Sequence, residues 1–394
     1  MSKKLAVTTL LALALVGCSA TEEPAHRTAA EPSATPSATV AAEKSAAAPP
    51  ELVKAAEASM RKAAEWLLAQ QQADGTFGGP AQVGKAGLVL SALLATPGAQ
   101  ELRNDARVRK AITYIVSMQQ PDGSINTPGE QGLANYQTSA ALSALAAYGD
   151  PAHKDVIEKA KNFLLSLQHK EGLDAGGFGY NSDKRADLSN TQFALEALKA
   201  AGLTEDSEAF KNCLAFLQRC QNRSESNDQP WATNDGGAIY YPGSSKAGII
   251  KLSDGKVIYK SYGSMTYALL RGYVLVGLKP DDPRVQAAQR WIVENYTLEQ
   301  NPGMEGDQKL QGLLYYYMSM AKALSLLKTT ALELPDGTKR WWAKDLAEKL
   351  IALQEPEGSW INTAMRWMEN DRILATAYVL SALAECRAVL AAAE

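Results

Sequence analysis

Histidine is nearly missing from this sequence, with three among 394 residues, and cysteine is scarce, with four. His26 falls in an Ala/Pro-rich stretch and His153 and His169 fall on charged helical patterns, so no metal-binding set is visible and no cofactor is implied. Cys213 and Cys220 stand two turns apart on one expected helix, about 10 Å by helical rise, too far for a disulfide in an intact helix. With Cys386 they read as small buried apolar residues, and a pairing of Cys386 with either is left open. An excess of one charge is also lacking: the net charge is −3 and the pI ≈ 5.8, so no basic field invites nucleic acid. The apolar run over residues 5–16 is too short to cross a membrane as a helix, which takes about 20 residues.

That run follows Lys3-Lys4 and ends in Leu15-Val16-Gly17-Cys18, which makes residues 1–17 an export signal. The Leu-x-Gly-Cys ending resembles the lipobox of bacterial lipoproteins. The resemblance implies a lipid on Cys18 as the membrane anchor and, with Ser19 rather than aspartate next, an outer-membrane location facing the periplasm. The alternative is a secreted protein with an accidental cysteine. Residues 18–50 are Ala, Pro, Ser, Thr and Glu with almost no large apolar side chain, and read as a disordered tether. The fold is expected over residues 51–394.

What the sequence has in quantity is one repeated unit. Lys110-Ala-Ile-Thr-Tyr114-Ile-Val-Ser-Met-Gln119-Gln-Pro-Asp-Gly123-Ser-Ile125 returns five more times, mostly about fifty residues apart. The clearest copies are Trp66…Gln71…Gly75-Thr-Phe77, Phe163…Gln168…Gly172 and Gln354…Gly358-Ser-Trp360. Two are degraded: Phe216…Gln221 lacks a nearby glycine, and Trp291…Tyr296 has tyrosine at the glutamine position. The expected physics is an amphipathic helix that ends on a left-handed glycine. The glutamine amide would donate to that helix's last carbonyls and accept from the next helix's free N–H groups.

Each unit is followed by a second helical pattern richer in small residues, as in Tyr136–Leu145 and Asn190–Leu198, with Thr, Ser or Asn at positions suited to N-caps. Six hairpins with charged first helices and Ala-rich second helices predict an all-α (α/α)6 toroid. The alternative is an open superhelix of the tetratricopeptide kind, whose units are shorter. The unit ending in Gln354…Gly358-Ser-Trp360 resembles the QW-type motif of terpene cyclases. The chain is accordingly similar, over about Leu52 to Ala388, to the prenyltransferase and squalene oxidase repeat superfamily. Ser261-Tyr-Gly-Ser-Met-Thr-Tyr267, Asn301-Pro-Gly-Met304 and Leu313-Leu-Tyr-Tyr-Tyr317 look like a bacterial lipoprotein branch of it.

The resemblance implies chemistry that the residues do not supply. Squalene-type cyclases protonate an alkene from an Asp-x-Asp-Asp stretch, and this chain has none; Asp281-Asp282-Pro283 reads as a helix cap. The zinc ligands of the protein prenyltransferases and the Asp-Asp-x-x-Asp magnesium motif are absent too. Ten of the fifteen tyrosines instead lie between Tyr240 and Tyr317. The expectation is an aromatic central cavity for an isoprenoid or other apolar ligand, lined by Trp231, Tyr240, Tyr262, Tyr267, Tyr315 and Trp360 and covered by the loop from Asn222 to Gly263. Asp235, Glu305 and Asp307 are the candidate acids. The alternatives are a divergent squalene or terpene cyclase-like enzyme, a glycan-active ring using two of those carboxylates, and a scaffold that binds a protein on its rim.

Overall fold

The computed structural model describes residues 50–182 and 184–392; the export signal, Cys18 and nearly all of the expected tether lie outside the described residues. The chain folds as successive helical hairpins. α1 (Pro50–Ala69) pairs with α2 (Gln82–Leu94). After the short α3 (Ala99–Arg103), α4 (Ala106–Ser117) pairs with α5 (Ala134–Tyr148), and α6 (Lys154–Ser166) with α7 (Leu188–Ala200). α8 (Glu208–Cys220) pairs with α9 (Gly263–Leu275), α10 (Pro283–Glu294) with α11 (Leu313–Leu326), and α12 (Trp342–Ala352) with α13 (Arg372–Ala391).

The second helices pack in sequence, α2 on α5, α5 on α7, α7 on α9, α9 on α11 and α11 on α13, and α13 returns to α2. α1 packs against α12 and α13. The fold is therefore a closed (α/α)6 toroid, and the closing contact of α13 with α2 excludes the open superhelix. An outer helix buries one stripe, as α4 does with Val108, Ala111, Ile112 and Ile115. An inner helix is enclosed on nearly every side, and small residues bring the axes together: a Cβ on Gly87 would lie 2.5 Å from the backbone of Ala140. α13 is apolar and long enough to cross a membrane, but its apolar side chains are core of the ring. Among the described residues the hydrophobic core runs from Val53 to Leu390, so the ring carries its own core. Cys213, Cys220 and Cys386 are free and buried within it.

The repeated glutamine performs a different task from the one expected. Its amide nitrogen donates to the carbonyl of its own turn glycine and to a carbonyl on the next outer helix. Gln71 reaches Arg107 O at 2.9 Å, Gln119 reaches Val156 O at 2.9 Å, and Gln168 reaches Ala209 O at 2.7 Å. Gln221 reaches Arg284 O at 2.8 Å, and Gln354 closes the circle on Ser59 O of α1 at 3.0 Å. The glutamine is thus a staple between repeats rather than a cap within one. The degraded fifth copy keeps the reach by other means, with Tyr296 OH donating to Asp345 Oδ2 on α12 at 3.4 Å.

The turn glycines have left-handed φ and press on the same neighbouring helix. A Cβ would sit 2.9 Å from Lys110 O at Gly75, 2.6 Å from Lys159 O at Gly123 and 2.7 Å from Lys62 O at Gly358. In the third repeat this glycine is Gly176, not Gly172, which faces open space. In the fourth it is Gly236, whose carbonyl accepts from Gln221 at 3.0 Å. Both offsets come from insertions in the turn. The inner-helix threonines are not N-caps either: Thr138, Thr191, Thr266 and Thr376 lie in or just beyond the first turn. Each accepts through Oγ1 at 3.0 Å from the N–H of Ile125, Phe178, Ala238 or Trp360, respectively.

Candidate functional site

Outer helices end and inner helices begin on one face of the ring, so six positive helix ends converge there. At their centre lies a cavity of ≈ 240 Å³, with every inner helix contributing to its wall. Gly84 and Lys85 come from α2, Tyr136 and Gln137 from α5, and Ser189 and Phe193 from α7. Ser264 and Met265 come from α9, Tyr315 from α11, and Leu374 and Tyr378 from α13. The connecting loops add Tyr180, Tyr240, Tyr262, Trp367 and Glu369.

The aromatic side chains form a connected belt. Tyr136 meets Tyr180 edge-on at 5.4 Å and Phe193 at 5.0 Å; Phe193 stacks on Tyr315 at 6.3 Å, and Tyr315 meets Tyr378 at 5.9 Å. Such faces favour an apolar or positively polarised guest. Beneath them Tyr315 OH donates to Gln192 Oε1 at 2.8 Å, and Gln192 Nε2 donates to Glu196 Oε1 at 2.7 Å. Burial alone would raise the Glu196 carboxyl, yet Arg271 at 2.7 Å and Lys322 at 3.0 Å hold it below the usual range. This ion cluster ties α7, α9 and α11 together one turn deeper than the cavity.

Glu369 in the wall, and Asp187 and Asp371 next to wall residues, are all engaged by the protein. Asp187 caps α7, accepting from Asn190 N at 2.9 Å, Asn190 Nδ2 at 2.7 Å and Ser189 Oγ at 2.8 Å, and burial pushes its carboxyl up. Ser189 Oγ in turn lies 2.6 Å from Tyr136 OH. Asp371 caps α13 and pairs at 2.5 Å with Lys85, a lysine only 4% exposed that also donates to Gly78 O at 2.8 Å. Glu369 accepts from Tyr315 N at 2.8 Å and Asn362 Nδ2 at 2.6 Å at the start of α11. Its burial outweighs those donors and pushes its carboxyl up to about 7. Trp367 and Met368, just before it, have φ of 58° and 62°, and Ala81, just before α2, has 51°, so three non-glycine residues of this wall adopt left-handed backbone.

Of the residues expected to line the cavity, Tyr240, Tyr262 and Tyr315 do so. Tyr267 is buried against Tyr316 at 5.6 Å, one turn past the start of α9. Trp360 donates its indole N–H to Leu350 O at 2.8 Å between α12 and α13, and Trp231 sits edge-on to Tyr259 within the long loop. None of these three lines the cavity: Tyr267 and Trp360 are held in the helical packing, and Trp231 in the loop. Nor do the candidate acids. Asp235 Oδ1 accepts from Gly237 N and Ser261 Oγ, each at 2.9 Å, in the signature turn of the fourth repeat. Glu305 is exposed and pairs with Lys260 at 2.5 Å, and Asp307 is exposed in a short 3₁₀ turn.

Lys85, Tyr136, Tyr180, Asp187, Phe193, Glu369 and Tyr378 were missed. A signal existed for one group: Asp187-Leu188-Ser189-Asn190 puts three polar residues where an inner helix opens. Glu369 carries no comparable local signal.

The Squalene-hopene cyclase C-terminal domain model matches residues 79–242, and the Prenyltransferase alpha-alpha toroid domain model matches residues 253–392. The chain belongs to the prenyltransferase and squalene cyclase-like superfamily. Among solved structures it is similar to a variant of the type II terpene cyclase MstE from Scytonema in complex with geranylgeranyl dihydroxybenzoate. That match has a TM-score of 0.54 and 14% identity over 86% of this chain and 100% of the other. A protein from Actinoplanes matches with a TM-score of 0.52 and 16% identity over 84% and 99%. At these identities the likeness is one of fold. A comparison with curated proteins finds no match.

Proposed function

We propose that this toroid binds an isoprenoid-like or other apolar ligand in its central cavity without converting it, from an anchor at Cys18 in the outer membrane, facing the periplasm. The observation that carries the reading is the wall itself: a belt of aromatic faces whose nearby acids, Asp187, Asp371 and Glu369, are engaged in capping α7, α13 and α11. An acid whose oxygens are turned to N–H donors aims no proton at a guest, and alkene protonation needs a strong, correctly aimed acid. The same face of the ring carries exposed apolar side chains, Ile249, Ile250 and Leu252 on a projecting β-hairpin and Met365 and Trp367 beside the mouth. They suit entry of a guest from an apolar phase.

The test is to incubate the ring with squalene, polyprenyl lipids and a host lipid extract, then analyse what is retained and what changes mass. Retention without conversion is expected. One observation favours a divergent cyclase-like enzyme instead: Glu369 is a cavity carboxyl whose pKa is raised to about 7. Product formation abolished by Glu369→Gln would establish that second reading. For the anchor, Cys18→Ser is expected to move the protein from the membrane pellet to the soluble or unprocessed fraction; unchanged membrane association with normal signal cleavage would remove it.

A further inference from the structure

The cavity wall carries two phenol groups with nothing to bond. Tyr136 OH engages Ser189, Tyr180 OH and Tyr240 OH lie 3.2 Å apart, and Tyr315 OH engages Gln192. Tyr262 and Tyr378 complete the tyrosines of the wall, and neither hydroxyl has a partner among the described residues. Tyr262 is 2% exposed overall and is part of the cavity wall, so the access left to it is through the cavity. Tyr378 stands on α13 beside Tyr315, in the aromatic belt. A fold that satisfies four wall phenols and leaves two unpaired at the cavity has two donors available to a guest.

A pure hydrocarbon would strip water from both hydroxyls and return no bond, a cost that a guest bearing an oxygen acceptor avoids. The cavity volume of ≈ 240 Å³ lies below the range of about 300–1,000 Å³ that encloses drug-sized ligands, so the enclosed part of the guest is small. We infer that the cavity selects a short apolar molecule carrying a hydroxyl, carbonyl or ether oxygen, which accepts a hydrogen bond from Tyr262 or Tyr378. This rests on the ligand-binding reading above and narrows it from apolar ligands in general to oxygenated ones.

The experiment compares geraniol with 2,6-dimethyl-2,6-octadiene, the hydrocarbon of the same skeleton, binding to the ring domain (residues 51–394), which carries the hydrophobic core from Val53 to Leu390. The alcohol is expected to bind about tenfold more tightly, the worth of one well-made hydrogen bond. In the Tyr262→Phe/Tyr378→Phe variant, which keeps both rings, that preference should fall below about threefold while hydrocarbon affinity stays the same. Equal affinity of the unmodified ring for the two probes overturns the inference and leaves the apolar-ligand reading standing. A preference that survives the double substitution also overturns it, since other groups then read the oxygen. Failure of both probes to bind a folded ring, judged by an unchanged helical spectrum and melting temperature, overturns the ligand-binding reading together with it.

Discussion

The ends of the outer helices and the beginnings of the inner ones lie on the same face of the ring and are built by opposite rules. At the outer ends five glutamines make one pair of bonds, to their own turn glycine and to the neighbouring outer helix. At the inner beginnings four helices share a threonine bond in or near the first turn, but the residue before each helix differs. α2 starts after left-handed Ala81, α5 after Leu133, α7 after Asp187, α9 after Tyr262, α11 after left-handed Gly312 and α13 after Asp371. Repetition suffices where each unit need only hold the next. A cavity needs a different side chain at each point of its wall, so the six positions diverge.

The sharpest way to break the frame is at a turn glycine. Gly176→Ala places a Cβ 2.0 Å from Asn212 O as well as in a left-handed conformation, and is expected to cost roughly 4 kcal/mol or more. Gly172→Ala, in the same connection with φ of 68° but open space around it, should cost about 1 to 2 kcal/mol. Urea unfolding of both variants measures the difference; equal losses would mean that contact with the next repeat contributes nothing.

Glu369 tests the wall. Its folded-state pKa, raised from 4.5 to about 7, means that the folded chain holds the proton more tightly than the unfolded chain. Its contribution is present in full below the unfolded value and is lost as pH rises through about 7, a change of about 3 kcal/mol. Glu369→Gln should therefore flatten the pH dependence of stability between about pH 4.5 and 7 relative to the unmodified chain, read from melting curves across that window. An unaltered slope would place the carboxyl in a water-like environment.

Gln119→Ala removes the donor to Val156 O and Gly123 O and is expected to cost about 1 to 3 kcal/mol, against less than about 0.5 kcal/mol for Gln300→Ala, which lies outside the signature. Denaturant titration separates them, and similar losses would show that the staple is ornamental. The smallest effects distinguish two buried tyrosines. Tyr273→Phe breaks a 2.8 Å bond to the staple residue Gln221 and should cost about 1 to 2 kcal/mol, whereas Tyr262→Phe should leave stability within about 0.5 kcal/mol because its hydroxyl bonds nothing. A large loss at Tyr262 would move that residue from the cavity to the frame.

The frame was legible because it is periodic. Outer stripes such as Val108, Ala111, Ile112 and Ile115 carry helical spacing, and a glutamine followed by a glycine marks the end of four of the six outer helices. The task of that glutamine was misread, since the carbonyl it reaches lies 36 residues on for Gln71 and 295 residues back for Gln354, and local turn chemistry cannot reveal such a partner. The third turn glycine was misplaced for the same reason: Gly172 and Gly176 look alike until Asn212 is brought against one of them. Aromatic enrichment in the second half pointed to Tyr240, Tyr262 and Tyr315, but equally to Tyr267 and Trp360, because composition does not say which side of an inner helix meets the ring axis.

By itself the sequence determined the six hairpins, their order, the all-α class and the count of repeats, because helix periodicity and turn chemistry act over distances of a few residues. Only the tertiary structure decided that α13 returns to α2 and that Tyr136, Phe193, Tyr315 and Tyr378 form one belt. It also decided that Glu369 sits buried at the start of α11 while Glu305 faces solvent. Those facts depend on which residues of different repeats share the ring axis, and packing around a closed circle, not any local pattern, sets that.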